Sequence, residues 1–178
     1  MTTKNGLIAW FGTSINEADF EEMYRVELPR IYNYFCYRVG NVAVAEDLTS
    51  ETFEKAWRNR WRYRRDLAAF STWLFTIARR VVQDHYRRKR DNLPLEQAAV
   101  LRTNENLEDL IEQHADFAQL TVLLARLVDR DRELVALKYG AGLTNRAIAR
   151  LSGLSESNVG TILNRAVQTL RTEWEGNL

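Results

Sequence analysis

Three observations predict an all-helical chain built as two small units. Glycine and proline are scarce, with eight Gly and two Pro in 178 residues. Apolar residues recur at the 3.6-residue period of a helix face in one stretch after another. Pro94 opens a weakly periodic, acidic run that separates an earlier helical unit from a later one. No alternating strand pattern competes, and 46% hydrophobic content is enough for a core. The expected organisation is an N-terminal extension over residues 1–17, a three- to four-helix unit over 18–92, an acidic linker over 93–117 and a helix-turn-helix unit over 118–178.

The first helix is expected from Glu17 to Val39, where Phe20, Tyr24, Leu28, Ile31, Phe35 and Val39 share one face. Pro29 removes a backbone hydrogen bond inside it and should kink it, and Gly40-Asn41 ends it. A second helix runs from about Ala43 to Trp61, with Val44, Leu48, Thr52, Phe53, Ala56 and Trp57 inward and Glu46, Asp47, Ser50, Glu51 and Glu54 outward. The segment RYRRDLAAFS, residues 62–71, breaks the pattern as a loop, and Ser71 suits the N-cap of a third helix. In that helix Trp73, Leu74, Ile77, Ala78 and Val81 make the apolar stripe, which leaves Arg79, Gln83, Arg87 and Arg90 along another face. Within the linker a short helix is expected near Leu107 to Phe117; fully stretched, the linker would span on the order of 80 Å.

The second unit, from about Ala118 to Trp174, carries the most specific pattern. Ala149, Gly153 and Val159 supply a small residue where helices cross, a glycine for positive φ in a turn, and an apolar anchor in the next helix. That is a helix-turn-helix signature, with Ser155 as N-cap of its second helix and Val159, Ile162 or Leu163, Ala166, Leu170 and Trp174 inward. Its outward residues, Glu156, Ser157, Asn158, Gly160, Thr161, Asn164 and Arg165, would face a major groove. A plain helical hairpin with a glycine turn is the alternative reading.

The net charge of +1 hides a sorting of charges. From Arg58 to Arg90 eleven Lys/Arg face only Asp66 and Asp84, whereas Leu93 to Phe117 carries six Asp/Glu against Arg102 alone. Three partners compete for the basic block: a membrane surface, water, and nucleic acid. The apolar stripe opposite the cations is as wide as two preceding helices need for packing, which argues against lipid. Interleaved Trp61, Tyr63, Phe70, Trp73 and Tyr86 exceed what solubility requires, and cations with exposed aromatics are the chemistry of phosphate binding and base stacking. Catalysis has little support, because Asp84, His85 and His114 sit in no motif that supplies a nucleophile, metal ligands or a phosphate loop. Cys36 is the single cysteine, so an intrachain disulfide and a Cys-rich metal site are excluded. No signal sequence or membrane span is evident, and a cytoplasmic protein without metal or cofactor is expected.

The stretches AEDLTSETFEKAW, FSTWLFTIARRVVQDHYRR and DRELVALKYGAGLTNRAIARLSGLSESNVGTILNRAVQTLR, in this order across an acidic linker, resemble bacterial RNA polymerase sigma factors of the extracytoplasmic function (ECF) group. The resemblance implies a non-enzymatic factor that binds core RNA polymerase and directs promoter recognition, melting and initiation. A stand-alone helix-turn-helix regulator and a peripheral membrane or scaffold protein are the alternatives. It further implies polymerase contacts at Asp47, Glu51 and Phe53, and minus-ten DNA contacts at Arg62, Arg65, Trp73, Arg79, Arg80, Gln83 and Arg87. Minus-thirty-five contacts would be Ser155, Ser157, Asn158, Thr161 and Arg165. Core polymerase and promoter DNA are the implied partners, with an anti-sigma factor a further candidate. The chain departs from the family pattern at Ser50 (often Gln), Arg80 (usually Asn), Ala147 (commonly Glu) and Gly160-Thr161 (often cations), so weak intrinsic minus-thirty-five binding is expected.

Overall fold

The computed structural model describes residues 15–91 and 115–176; residues 1–14 of the expected N-terminal extension and most of the linker, with His114 and most of its expected short helix, lie outside them. Helix α1 spans Glu17–Val39, bounded as expected, because both ends are chemically marked. Asn16 accepts from the Asp19 amide at 2.8 Å, and Gly40, at φ 67°, donates its amide to the Cys36 carbonyl at 3.0 Å. Pro29 does not divide the helix; it sits on an exposed side, where water can take the carbonyl its missing N–H leaves free.

Helix α2 spans Val42–Arg58 and is followed by a single 3-10 turn at Arg60–Arg62, so it stops short of the expected Trp61. Arg60 lies over the Trp57 ring at 3.8 Å and donates to the Trp57 carbonyl at 2.9 Å, which folds the chain back at this point. Thr49 and Thr52, buried in mid-helix, satisfy their hydroxyls on the carbonyls of Ala45 and Leu48, each at 2.7 Å. Helix α3 spans Phe70–Asp91. It begins before Ser71, which therefore lies in the first turn and is not the cap. Burial of Phe70 between the rings of Phe20 and Tyr63 fixes this start, and the Trp73 amide already bonds the Ala69 carbonyl.

The second unit begins earlier than expected, with α4 at Ala115–Arg126, inside the anticipated linker. Next comes α5 at Asp129–Val135, which widens into a π turn over Ala136–Gly140. Then α6 at Asn145–Ser152 and α7 at Glu156–Glu175 form the helix-turn-helix. Gly153 takes φ 75° in the turn and Ser155 caps α7 on the Asn158 amide at 3.2 Å, both as the sequence pattern requires. Thr144 caps α6 on the Ala147 amide at 3.2 Å without the reciprocal glutamate of a capping box.

The two units do not stand apart. One continuous apolar cluster runs from Phe35, Leu74 and Phe75 to Leu124, Leu134, Leu137 and Ile148. Contact is close because glycine stands at two crossings. A Cβ on Gly140 would lie 2.9 Å from the Asn33 carbonyl oxygen and 3.2 Å from the Tyr34 Cα, and one on Gly40 would collide with the Thr121 methyl. Among the described residues no helix is long and apolar enough to cross a membrane, and no group of His, Cys, Asp or Glu could hold a metal ion.

Candidate nucleic-acid interface

Helical geometry lays Arg79, Gln83 and Arg87 along one side of α3 at intervals of four, with Arg80 beside them. Arg80, Gln83 and Arg87 are exposed, and Arg87 makes a surface pair with Asp84 at 3.0 Å. Such pairs are worth little in water, so Arg87 can exchange Asp84 for a phosphate at small cost. Arg79 differs. Its Nε reaches Glu133 of α5 at 2.7 Å and its Nη1 donates to the Leu151 carbonyl of α6, so it is engaged by the second unit.

The loop before α3 adds aromatic surface. Trp61 is 64% exposed with Arg62 lying 5.6 Å from its ring centre, and Leu67 is 73% exposed. An exposed aromatic face with a cation against it can receive an unstacked base. Tyr63, by contrast, is buried and anchors the loop by donating to the Ala68 carbonyl at 3.1 Å. Trp73 is half-buried in an aromatic cluster with Tyr63 and Phe70, at 5.3 and 5.5 Å, and so supports the loop more than it presents a face. Arg65 reaches Asp19 at 3.5 Å, while Arg64 binds Asp66 through two bonds of 3.0 and 2.8 Å.

On α2, Asp47 is exposed and Glu51 half-buried, but Phe53 is in the core. Its ring meets Tyr24 edge-on at 4.6 Å, so in this conformation it is no surface contact. Burial alone would raise the Glu51 carboxyl, but bonds and charge from Lys55 and Arg88 outweigh this and hold it below the usual value. His85 is pushed down by burial and then by the charges of Lys89 and Arg88.

Along α7, Ser155, Ser157, Asn158, Thr161 and Arg165 are all exposed. Arg165 is tied to the buried carboxylate of Asp131 at 3.2 Å, and Glu156 pairs with Arg146 at 3.4 Å. The exposed start of this helix is therefore polar with little free positive charge, as the sequence suggested.

Sequence reasoning missed two groups. The first was Leu67, exposed in the loop before α3; Trp61, already among the interleaved aromatics, is exposed within the 3-10 turn. The second was a buried polar face on α1: Glu27, Tyr34 and Arg38 are all buried. Arg38 bonds Glu133 and Asp129 at 2.7 Å each, and burial, which alone would lower its pKa, is outweighed by Glu133 and its neighbours, so it stays charged. Tyr34 donates to Glu133 at 3.2 Å, and Arg30 donates to the Ala141 carbonyl at 2.9 Å. The signal was present as Glu27, Arg30, Tyr34 and Arg38 at helical spacing, but charged residues on a helix ordinarily face water.

Residues 23–92 match the family Sigma-70 region 2, and residues 117–170 match Sigma-70, region 4. The chain is 37% identical over 158 residues to the ECF RNA polymerase sigma factor BldN of Streptomyces coelicolor, covering 86% of this chain and 60% of that protein. It therefore spans about three fifths of that relative's length. Against the ECF RNA polymerase sigma factor SigM of Bacillus subtilis it is 25% identical over 152 residues, 85% of this chain and 92% of the other. The sigma factor RpoE of Bartonella quintana, solved in complex with the anti-sigma factor NepR, shares the fold with a TM-score of 0.73. That match covers 88% of this chain and 97% of the other at 21% identity.

Proposed function

Because the chain belongs to the sigma-70 family of RNA polymerase sigma factors, in the extracytoplasmic function group, we propose that it binds core RNA polymerase and directs promoter recognition, melting and initiation. The observation that carries this reading is the exposed row of Arg80, Gln83 and Arg87 on α3, together with an open Trp61 ring in the loop that precedes that helix. Cations hold phosphate without regard to sequence, and an aromatic face is worth about 1–3 kcal/mol to each base stacked on it. Together they offset the few kcal/mol that unstacking a base costs. The family is not enzymatic, so chemistry belongs to the polymerase.

In this reading residues 18–92 act as the minus-ten and core-binding domain. Asp47 and Glu51 present the acidic α2 face to polymerase, while Phe53 holds Tyr24 behind it. Arg62, Arg65, Arg79, Arg80, Gln83 and Arg87 track minus-ten DNA, with Trp73 bracing the loop that offers Trp61. Residues 118–178 read the minus-thirty-five element through Ser155, Ser157, Asn158, Thr161 and Arg165. Residues 93–117 are the linker and 1–17 an extension. The working compartment is the cytoplasm, where the polymerase is, and an anti-sigma partner belongs to the same reading.

The test is reconstituted transcription. Purified protein with core polymerase should initiate from a cognate promoter, and Asp47→Ala should weaken core binding while leaving thermal stability unchanged. Failure to bind core at low salt would remove the reading. Tight binding to a duplex operator without polymerase would favour a stand-alone regulator.

A further inference from the structure

We propose that Asp131 is a positioning residue for duplex DNA: its buried carboxylate sets the guanidiniums of Arg165 on α7 and Arg130 on α5 side by side, as one seat for a backbone phosphate. That the duplex is a minus-thirty-five element rests on the sigma-factor reading; the seat rests on geometry. One oxygen of Asp131 has the Arg130 Nε and Nη2 at 2.9 Å, and the other takes the Arg165 Nη2 at 3.2 Å. A guanidinium carries five N–H donors, so both arginines keep donors beyond those the carboxylate takes.

Burial is divided unequally within this group. The Asp131 side chain is 8% exposed, whereas those of Arg130 and Arg165 are 56% and 64% exposed. A pair that serves packing alone buries both partners, as Arg38 and Glu133 do at 3% and 10%. An apolar residue in place of Asp131 would join α5 to α7 at less cost in desolvation, so the acid is explained by the direction it gives two cations. Arg165 also stands at the right depth. It shares a face of α7 with Asn158 and Thr161 at helical spacing. Where the start of α7 lies on base edges, Arg165 is about 10 Å further along the helix axis, near the roughly 12 Å width of the major groove, and so meets the phosphate wall. A phosphate contact fixes register, which lets the neutral Ser157, Asn158 and Thr161 discriminate between bases.

Charge and position make opposite forecasts for removal of this acid. Asp131→Asn takes a negative charge from beside the DNA, so charge alone would tighten binding to every duplex. The seat forecasts a loss of discrimination instead. With the full chain bound to core polymerase, affinity is compared for a duplex carrying the minus-thirty-five element of a promoter located by transcript start mapping and for the same duplex with that element shuffled. Asp131→Asn, shown folded by far-UV circular dichroism, should lower the ratio of the two affinities by at least about threefold without weakening the shuffled duplex. In a background with both Arg130→Ala and Arg165→Ala it should lower the ratio no further. An unchanged ratio, equal weakening on both duplexes, or a further fall in that background overturns the proposal. A second measurement needs neither DNA nor the Asn variant. In nitrogen-15 NMR of the wild-type chain, the Arg165 guanidinium, assigned as the signal absent from Arg165→Lys, should rotate slowly about its Nε–Cζ bond, and free rotation overturns the seat. Wild type that prefers neither duplex refutes the sigma-factor reading, and the NMR result then decides the seat by itself.

Discussion

Two glycines of the helix-turn-helix should respond to the same substitution with opposite sign. Gly160 lies inside α7, where a Cβ would meet only the Asn145 Nδ2 at 3.6 Å, an ordinary contact. Alanine is favoured over glycine in a helix by about 0.8–1.0 kcal/mol, and no steric cost is set against it here. Gly160→Ala should therefore raise Tm by about 2–4 °C, since 1 kcal/mol corresponds to roughly that shift in a chain of this size. Gly153 also has open space, with nothing within 4 Å of a Cβ, but its φ is 75°. There the backbone penalty acts alone, and Gly153→Ala should lower stability by about 1–2 kcal/mol. Thermal melts of wild type and both variants by circular dichroism decide the matter. If the two shifts share a sign, the turn is not held in its left-handed conformation or α7 is not regular at Gly160.

Three further outcomes are expected. Arg87→Ala should reduce the steepness of log affinity for promoter DNA against log salt by about 0.7–0.9, the loss of one phosphate contact; an unchanged slope removes Arg87 from the track. Phe75→Ala, at a fully buried ring 5.6 Å from Tyr34, should cost about 3–5 kcal/mol in urea unfolding with little change in m. His85 has its folded pKa depressed below 6.5, so the unfolded chain takes up a proton that the folded one resists. Its contribution is whole above the ordinary histidine range and is lost as pH falls through about 6.5 toward the folded pKa. Urea midpoints between about pH 8 and 5.5 should fall less steeply for His85→Gln than for wild type, and parallel slopes would refute this.

Elements with chemical marks at their ends were legible in the sequence. Gly40 ends α1 where expected, and Ser155 with Gly153 sets the helix-turn-helix as its pattern requires. Boundaries set by tertiary packing were not. The end of α2 depends on Arg60 folding over Trp57, and the start of α3 on Phe70 joining Phe20 and Tyr63. The candidate interface divides the same way. Arg80, Gln83 and Arg87 are where helical spacing puts them, facing water. Arg79 is not, because it has a partner that periodicity cannot name, whereas Phe53 lies inward as its spacing has it and not at the surface where the resemblance would use it. Glu133 is the extreme case: its burial is tolerable only because Arg38, 95 positions earlier, and Arg79, 54 positions earlier, supply charge.

The bond from Arg79 to the Leu151 carbonyl has a consequence for helix ends. Leu151 lies in the last turn of α6, where carbonyls lack amide partners within the helix and the backbone dipole presents negative charge. A guanidinium from α3 therefore caps the first helix of the helix-turn-helix from outside it. In the proposed reading, where Arg79 turns to phosphate, that carbonyl returns to water while the Gly153 amide still holds the Ala149 carbonyl at 2.9 Å. In that reading, whichever ligand holds an arginine 72 residues away in sequence decides whether the end of α6 keeps a partner from α3.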